Sequence, residues 1–171
     1  TPRPAMIREL ETGRLAYTLL SKRYHGHPLA VPVIQPIGKW RKQMKKGALL
    51  TPLIHYVTHL ARQNRFGYLF VPHVADLELV QTYLIERIIP YLLQQPWVIA
   101  QEKAYLQKIT IETVHAQHPE RTAIVQRFRK QKIHILITTT ILERGVTIPY
   151  SDVAVVGSDD PVFDTAALIQ I

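Results

Sequence analysis

This sequence predicts a three-layer α/β domain with a mostly parallel sheet, and three features lead there. Short apolar and β-branched runs, such as Tyr68-Leu69-Phe70-Val71 and the stretch 133–138, have the character of strands buried on both faces. Segments with apolar residues at helical spacing stand between those runs. Strands that alternate with helices imply parallel strands joined by crossover helices, which cover the sheet on both sides.

Composition bounds the answer. The chain has 171 residues, 47% of them hydrophobic, enough for one full core but not for a second domain of ordinary size. Lys and Arg number 21 against 13 Asp and Glu, a net charge of +8 that favours a polyanionic partner such as DNA, RNA or an acidic membrane face. No Cys is present, which excludes a disulfide framework and a thiolate zinc site and suits a reducing cytosol. The amino end lacks a signal-peptide profile, and no apolar run approaches the length of a membrane span.

Taken in order, residues 1–46 read as a connector with a basic segment, holding a short helix over 5–11 and a short strand over 15–20. The run Lys39-Trp40-Arg41-Lys42-Gln43-Met44-Lys45-Lys46 carries five cations around one Trp. It suits either a grip on single-stranded nucleic acid or, with a modest edge, a solvated helix face whose Trp is anchored in the core. Residues 47–171 read as the α/β domain itself.

There Thr51 caps a helix with Pro52 at its first position, and Leu53, Ile54, Val57, Leu60 and Ala61 repeat at helical spacing until Gly67. A buried strand over 68–71 ends at Pro72. A helix over 74–89 follows, with Leu77, Val80, Leu84 and Ile88 inward and Pro90 as its stop. Strands are expected over 97–100 and 110–114, then a helix from His118-Pro119-Glu120 through Lys130 with Ile124, Val125 and Phe128 inward and Arg121, Arg127 and Arg129 free. Strands over 133–138 and 153–156 and a helix over 164–171 complete the series.

The most informative stretch is Ile137-Thr138-Thr139-Thr140-Ile141-Leu142-Glu143-Arg144-Gly145-Val146-Thr147-Ile148-Pro149. A buried strand ends in three hydroxyls, then comes a turn of helix, then an Arg-Gly pair that re-aims the backbone. Hydroxyls and free backbone N–H groups at the carboxyl end of a parallel strand can hold phosphate oxygens. Three Thr also end a strand for the plainer reason that Thr suits strands and caps helices.

That stretch resembles motif V of the superfamily 2 helicases, and its wording is most similar to the ComFA-like late competence proteins, DNA translocases of bacterial transformation. The resemblance covers nearly the whole chain and is specific from 114 to 171. It implies a RecA-like fold, the second of two such domains. On it Thr139, flanked by Thr138 and Thr140, touches a nucleic-acid phosphate, while Arg144, Gly145 and Thr147 approach the nucleotide; Thr147 stands where many relatives carry an acidic residue.

Leu69-Phe70-Val71-Pro72-His73 resembles motif IV, which places His73 near nucleic acid. The segment from Val114-His115 through Arg121 to Phe128-Arg129 resembles the family's strand-His-helix unit and adds His115 and Arg121. For Arg121 a solvated helix face is an equal reading, and for Arg127 and Arg129 the better one. Thr1-Pro2 resembles the tail of motif III, and the run from Ala166 through Gln170 the start of motif VI, so a piece of a two-domain helicase is expected, with Gln170 in the ATP cleft.

A complete catalytic site is not expected. None of the seven Gly lies in a Gly-x-x-x-x-Gly-Lys phosphate loop, and no Gly-x-Ser-x-Gly nucleophile turn occurs. His55 and His59 lie one helical turn apart, but the Glu that follows the first His in zinc hydrolases is missing, so no metal site is expected. The resemblance implies ATP and Mg shared with a first RecA-like domain, zinc only in an amino-terminal part of such proteins, and no ATP hydrolysis by this chain alone.

Single-stranded DNA is the implied partner, with competence DNA-channel proteins at the membrane and a cytoplasmic place at its inner face. Two alternatives stand beside it: another superfamily 2 DNA helicase of replication restart or repair, and a non-catalytic nucleic-acid-binding α/β module.

Overall fold

The computed structural model describes residues 14–18, 33–36, 39–139 and 151–163, the first two segments as backbone strands. In chain order they form β1 (Arg14–Thr18), β2 (Val33–Pro36), α1 (Trp40–Lys45), α2 (Thr51–Gln63), β3 (Phe66–Phe70) and α3 (Val74–Tyr83). A π-helical turn, Leu84–Ile88, leads into α4 (Ile89–Leu93), followed by α5 (Ala100–Lys108), β4 (Ile111–Val114), α6 (Arg121–Arg129), β5 (Ile135–Thr138) and β6 (Ser151–Val155). The helices predicted over 5–11 and 164–171 lie outside the described residues.

The six strands make one sheet in the order β2-β1-β6-β3-β5-β4. The β6-β3-β5-β4 portion is parallel, as expected, and the β1-β2 pair extends it antiparallel beyond β6. Strand alternation divides the core. Leu69, Ile135, Ile137 and Ala154 face a large cluster built from α1 through α5, while Tyr68, Leu136, Val153 and Val155 face Ile124 and Phe128 of α6. Phe128 is 1% exposed. Its burial alone is worth about 2–3 kcal/mol.

Three helices stop in the same way. After α1, α2 and α6 a residue in the left-handed region, Gly47 (φ 74), Asn64 (φ 52) and Gln131 (φ 60), turns the chain. The next N–H then reaches back five residues, Ala48 to Gln43, Arg65 to Leu60 and Lys132 to Arg127, closing the last carbonyls. Asn64, not Gly67, therefore ends α2, and Gly67 falls inside β3. The N-cap of α2 is Leu50, with Thr51 already helical and Pro52 in the first turn, where its missing N–H costs nothing.

Pro90 does not stop the helix that precedes it. The Ile89 N–H bonds to the Leu84 carbonyl, five residues back, and this wider turn leaves room for the proline ring where an α-turn would set a carbonyl against it. The expected strand over 97–100 is a loop entering α5, a helix the sequence reading lacks. Glu102 starts it by accepting from the Ile99 N–H at 3.0 Å, and Arg62 of α2 holds the same carboxylate at 2.9 Å. The Ile99 N–H first, and Arg62 with it against the opposing effect of burial, keep the Glu102 carboxyl below its ordinary pKa.

Arg127 is not free either. It binds Glu112 of β4 through both terminal nitrogens at 2.8 and 2.7 Å, tying α6 to the sheet edge. No described helix is long and apolar enough to cross a membrane.

Candidate nucleic-acid interface

Register brings the four parallel strands to a common end. Phe70 pairs with Thr138 and with Val155, and Thr138 pairs with Val114, so Val155, Phe70, Thr138 and Val114 form one row across the sheet. Three strand spacings make that row about 14 Å wide. The residue sets that follow, 156–163, 71–73, 139 and 115–120, therefore share the carboxyl edge. In open α/β sheets this edge is where ligands bind.

Thr138 closes β5 at 0% exposure, and its hydroxyl donates to the Thr139 carbonyl at 3.2 Å. Thr139 is 7% exposed and its hydroxyl makes no hydrogen bond among the described residues. Of these two, Thr139 is the one with a hydroxyl to offer. Thr140, Arg144, Gly145, Thr147 and Gln170 lie outside the described residues, so the nucleotide-facing half of the predicted set does too.

His73 occupies the N-cap of α3. Its backbone N–H donates to Asp76 at 3.1 Å, and its Nε2 lies 2.9 Å from an Asp160 carboxylate oxygen in the loop after β6. The Asp76 carboxylate also takes a two-pronged bond from Arg41, 2.7 Å to Nε and 2.9 Å to a terminal nitrogen. That bond, foremost among the causes, raises the Arg41 pKa still further. Asp160 is pulled the other way. Burial works against its charge, but the Val162 N–H, His73 and Arg41 outweigh it and hold the carboxyl below its usual range.

The loop after β4 is shaped by its own side chains. His115 Nδ1 accepts from the Gln117 N–H and His118 Nδ1 from the Glu120 N–H, at 3.2 and 3.0 Å. The two rings meet edge to face at 5.8 Å. Arg121, at the first turn of α6, donates to the Ala116 carbonyl at 3.2 Å. His115 and Arg121 thus stand on the predicted edge, with part of the Arg121 donor set used to hold the loop.

The sequence reading missed the role of Arg41, Asp76 and Asp160, whose partners are 35 and 87 positions away. Trp40 is 6% exposed, so the Trp of the basic run is anchored in the core and is not offered to bases. An added Cβ at Gly157 would fall 2.8 Å from the indole Nε1 and 3.0 Å from Pro72, and its φ is 70, so only glycine lets the β6 loop close against α1.

Chemically the edge offers hydroxyl, imidazole, guanidinium and backbone N–H donors, a set for phosphate oxygens. Among the described residues no group of three or more His, Asp or Glu is placed to hold a metal ion.

Comparison with known proteins gives the family. Residues 50–171 match the helicase conserved C-terminal domain. The chain is 30% identical over its full length to competence protein ComFA of Bacillus subtilis (strain 168), and 30% identical over 96% of its length to the ComFA of Streptococcus pneumoniae (strain ATCC BAA-255 / R6). It spans 33% and 34% of the length of those two proteins. Over 78% of its length it is 27% identical to endoribonuclease Dicer homolog 2b of Oryza sativa subsp. japonica, 9% of that protein. No solved structure matches it significantly. The chain belongs to the helicase conserved C-terminal domain family, with a RecA-like α/β fold.

Proposed function

We propose that the chain is the second motor domain of an ATP-driven translocase that moves single-stranded DNA during bacterial transformation. The observation that carries the proposal is the common carboxyl edge, where the Thr139 hydroxyl has no hydrogen-bond partner among the described residues and stands between His73 and His115 at the ends of the neighbouring strands. Similarity over 100% and 96% of the chain to two competence proteins, each about three times as long, supports the biological setting.

In this proposal Thr139 grips one phosphate, with Thr138 and Thr140 shaping the strand end and His73, His115 and Arg121 alongside. Arg144, Gly145, Thr147 and Gln170 face ATP and Mg held between this domain and a companion helicase domain. The nucleotide supplies the free energy of domain closure; this chain supplies a phosphate grip that tightens and loosens as the domains close and part. The motor works in the cytoplasm at the inner face of the membrane, beside the channel that admits DNA.

The test is fluorescence anisotropy of a labelled single-stranded DNA titrated with the chain and with Thr139→Val and Thr139→Ser. A hydroxyl bonded to a charged phosphate is worth about 1.5 kcal/mol or more, so Val should weaken binding roughly tenfold while Ser keeps it. Equal affinity for all three would remove Thr139 from the interface. Preference for RNA over DNA would move the function toward the RNA-processing relative, and away from transformation.

A further inference from the structure

The lysines of α1 have no work inside the fold. Trp40 and Met44, four residues apart, are the buried face of this helix, while Lys39, Lys42, Lys45 and Lys46 are exposed and repeat every three or four positions on the other side. None of the four is ion-paired among the described residues. Arginines behave differently: Arg41, Arg62, Arg65 and Arg127 each bind a carboxylate of another element.

The helix that carries these lysines is held firmly. Arg41 clamps Asp76 at the start of α3, Arg87 donates to the Gly47 carbonyl at 2.6 Å, and the Tyr83 hydroxyl accepts from the Leu50 N–H at 2.9 Å. Its amino end is at the carboxyl edge, because Trp40 and Pro72 both lie against Gly157, which follows β6. Four cations with no ion pair among the described residues thus start at that edge and continue along α3 toward Arg87.

We infer that α1 is a second contact for the nucleic-acid strand, an electrostatic rail that holds phosphates next to those gripped at the Thr139 edge. This deepens the function proposed above and rests on it. An acidic membrane is the weaker partner, since a helix that lies in a lipid interface inserts an apolar face, and here that face is already occupied by the core. Base stacking has no part, because the one aromatic ring of α1 is buried.

The test compares the full chain with a variant carrying Lys39→Gln, Lys42→Gln, Lys45→Gln and Lys46→Gln, using single-stranded DNA over a range of salt. Each phosphate contact contributes about 0.7 to the slope of log affinity against log salt for single strands, so losing four should lower the slope by about 3 and weaken binding at low salt more than tenfold. Circular dichroism and thermal unfolding should match the parent, because the replaced side chains hold nothing in place.

An unchanged slope in the lysine variant, with Thr139→Val still weakening binding, would overturn the rail and leave the Thr139 edge standing. A lower slope with Thr139→Val binding normally would support the rail and remove the edge contact. No DNA binding by the parent chain would overturn both. Loss of binding to phosphatidylserine vesicles by the lysine variant, with DNA binding intact, would assign α1 to the membrane instead.

Discussion

Arg65 donates from Nε to a carboxylate oxygen of Asp152 across 2.8 Å, joining the end of α2 to the start of β6 at the sheet edge opposite the candidate interface. The Asp152 side chain is 0% exposed and also lies 3.1 Å from His59 Nε2. Its second oxygen and one Arg65 terminal nitrogen are buried without a partner. Arg65→Met leaves that carboxylate with His59 alone and should cost about 3–5 kcal/mol. Replacing both, Arg65→Met with Asp152→Leu, should recover most of the loss in urea unfolding; a double variant as unstable as the single would show that the pair is a net source of stability.

Gly67 is required by its neighbour. A Cβ there would sit 2.0 Å from the Tyr56 hydroxyl and 3.1 Å from the Asp152 carbonyl, because Tyr56 reaches from α2 to the sheet and donates to the Tyr68 carbonyl at 2.7 Å. Gly67→Ala should destabilise the fold by about 2–3 kcal/mol through overpacking. Tyr56→Phe removes the nearest atom, so in that background the same change should cost less. A double-mutant cycle measures the difference, and strictly additive effects would mean that the clash is absorbed elsewhere.

His134 gives the fold a dependence on mildly acid pH. It stacks on Phe66 at 5.3 Å, meets the Tyr105 ring edge-on at 4.9 Å, and accepts the Thr110 N–H on Nδ1 at 3.0 Å. Burial lowers its pKa below the ordinary 6.5. The folded chain therefore binds this proton less readily than the unfolded chain, so the contribution is complete above the unfolded pKa and is lost as pH falls through the lower folded one. Unfolding free energy should decline below pH 6.5. His134→Gln should flatten that decline; an identical pH profile in the variant would place the effect on another histidine.

Much of this was legible in local pattern. Short apolar and β-branched runs located β3, β4, β5 and β6, and the apolar spacing of Leu53, Val57 and Leu60 located α2. α5 was not legible because its buried side chains are few, Glu102, Tyr105 and Leu106, and one of them is a carboxylate that the Ile99 N–H and Arg62 make tolerable there. The continuation of the helix past Pro90 depended on a π turn that no residue type announces. At the candidate interface the end of a strand pointed to Thr139, a local feature, and the helicase resemblance added His73 and His115. The sequence could not show that Asp76 and Asp160, on different elements, converge on Arg41 and His73, since such pairs depend on sheet order.

ATP turnover should need more than this chain. Phosphoryl transfer depends on a phosphate loop with its lysine and on carboxylates that hold Mg, and no Gly-x-x-x-x-Gly-Lys occurs among its 171 residues. The purified chain should release no phosphate from ATP above a buffer blank, with or without single-stranded DNA. Turnover that persists through repeated purification would contradict this.

Asp160 lies 2.9 Å from His73 of the candidate interface, and its role separates two accounts of the edge. It is held below its usual pKa, hence ionised at neutral pH, and sits where phosphates are expected to approach. If its charge acts mainly by repulsion, Asp160→Asn should tighten single-stranded DNA binding by about 0.5 kcal/mol, twofold to threefold, with the gain shrinking as salt rises. If instead it acts by aiming the half-exposed His73 ring at a phosphate, the same variant should bind more weakly, and His73→Ala should then add nothing further. The expected result is the first, because His73 is already positioned through its own backbone bond to Asp76 at 3.1 Å and does not need Asp160 to stay at the head of α3. Weaker binding by Asp160→Asn, shared with His73→Ala, would sink that account and make the pair a single phosphate-binding unit.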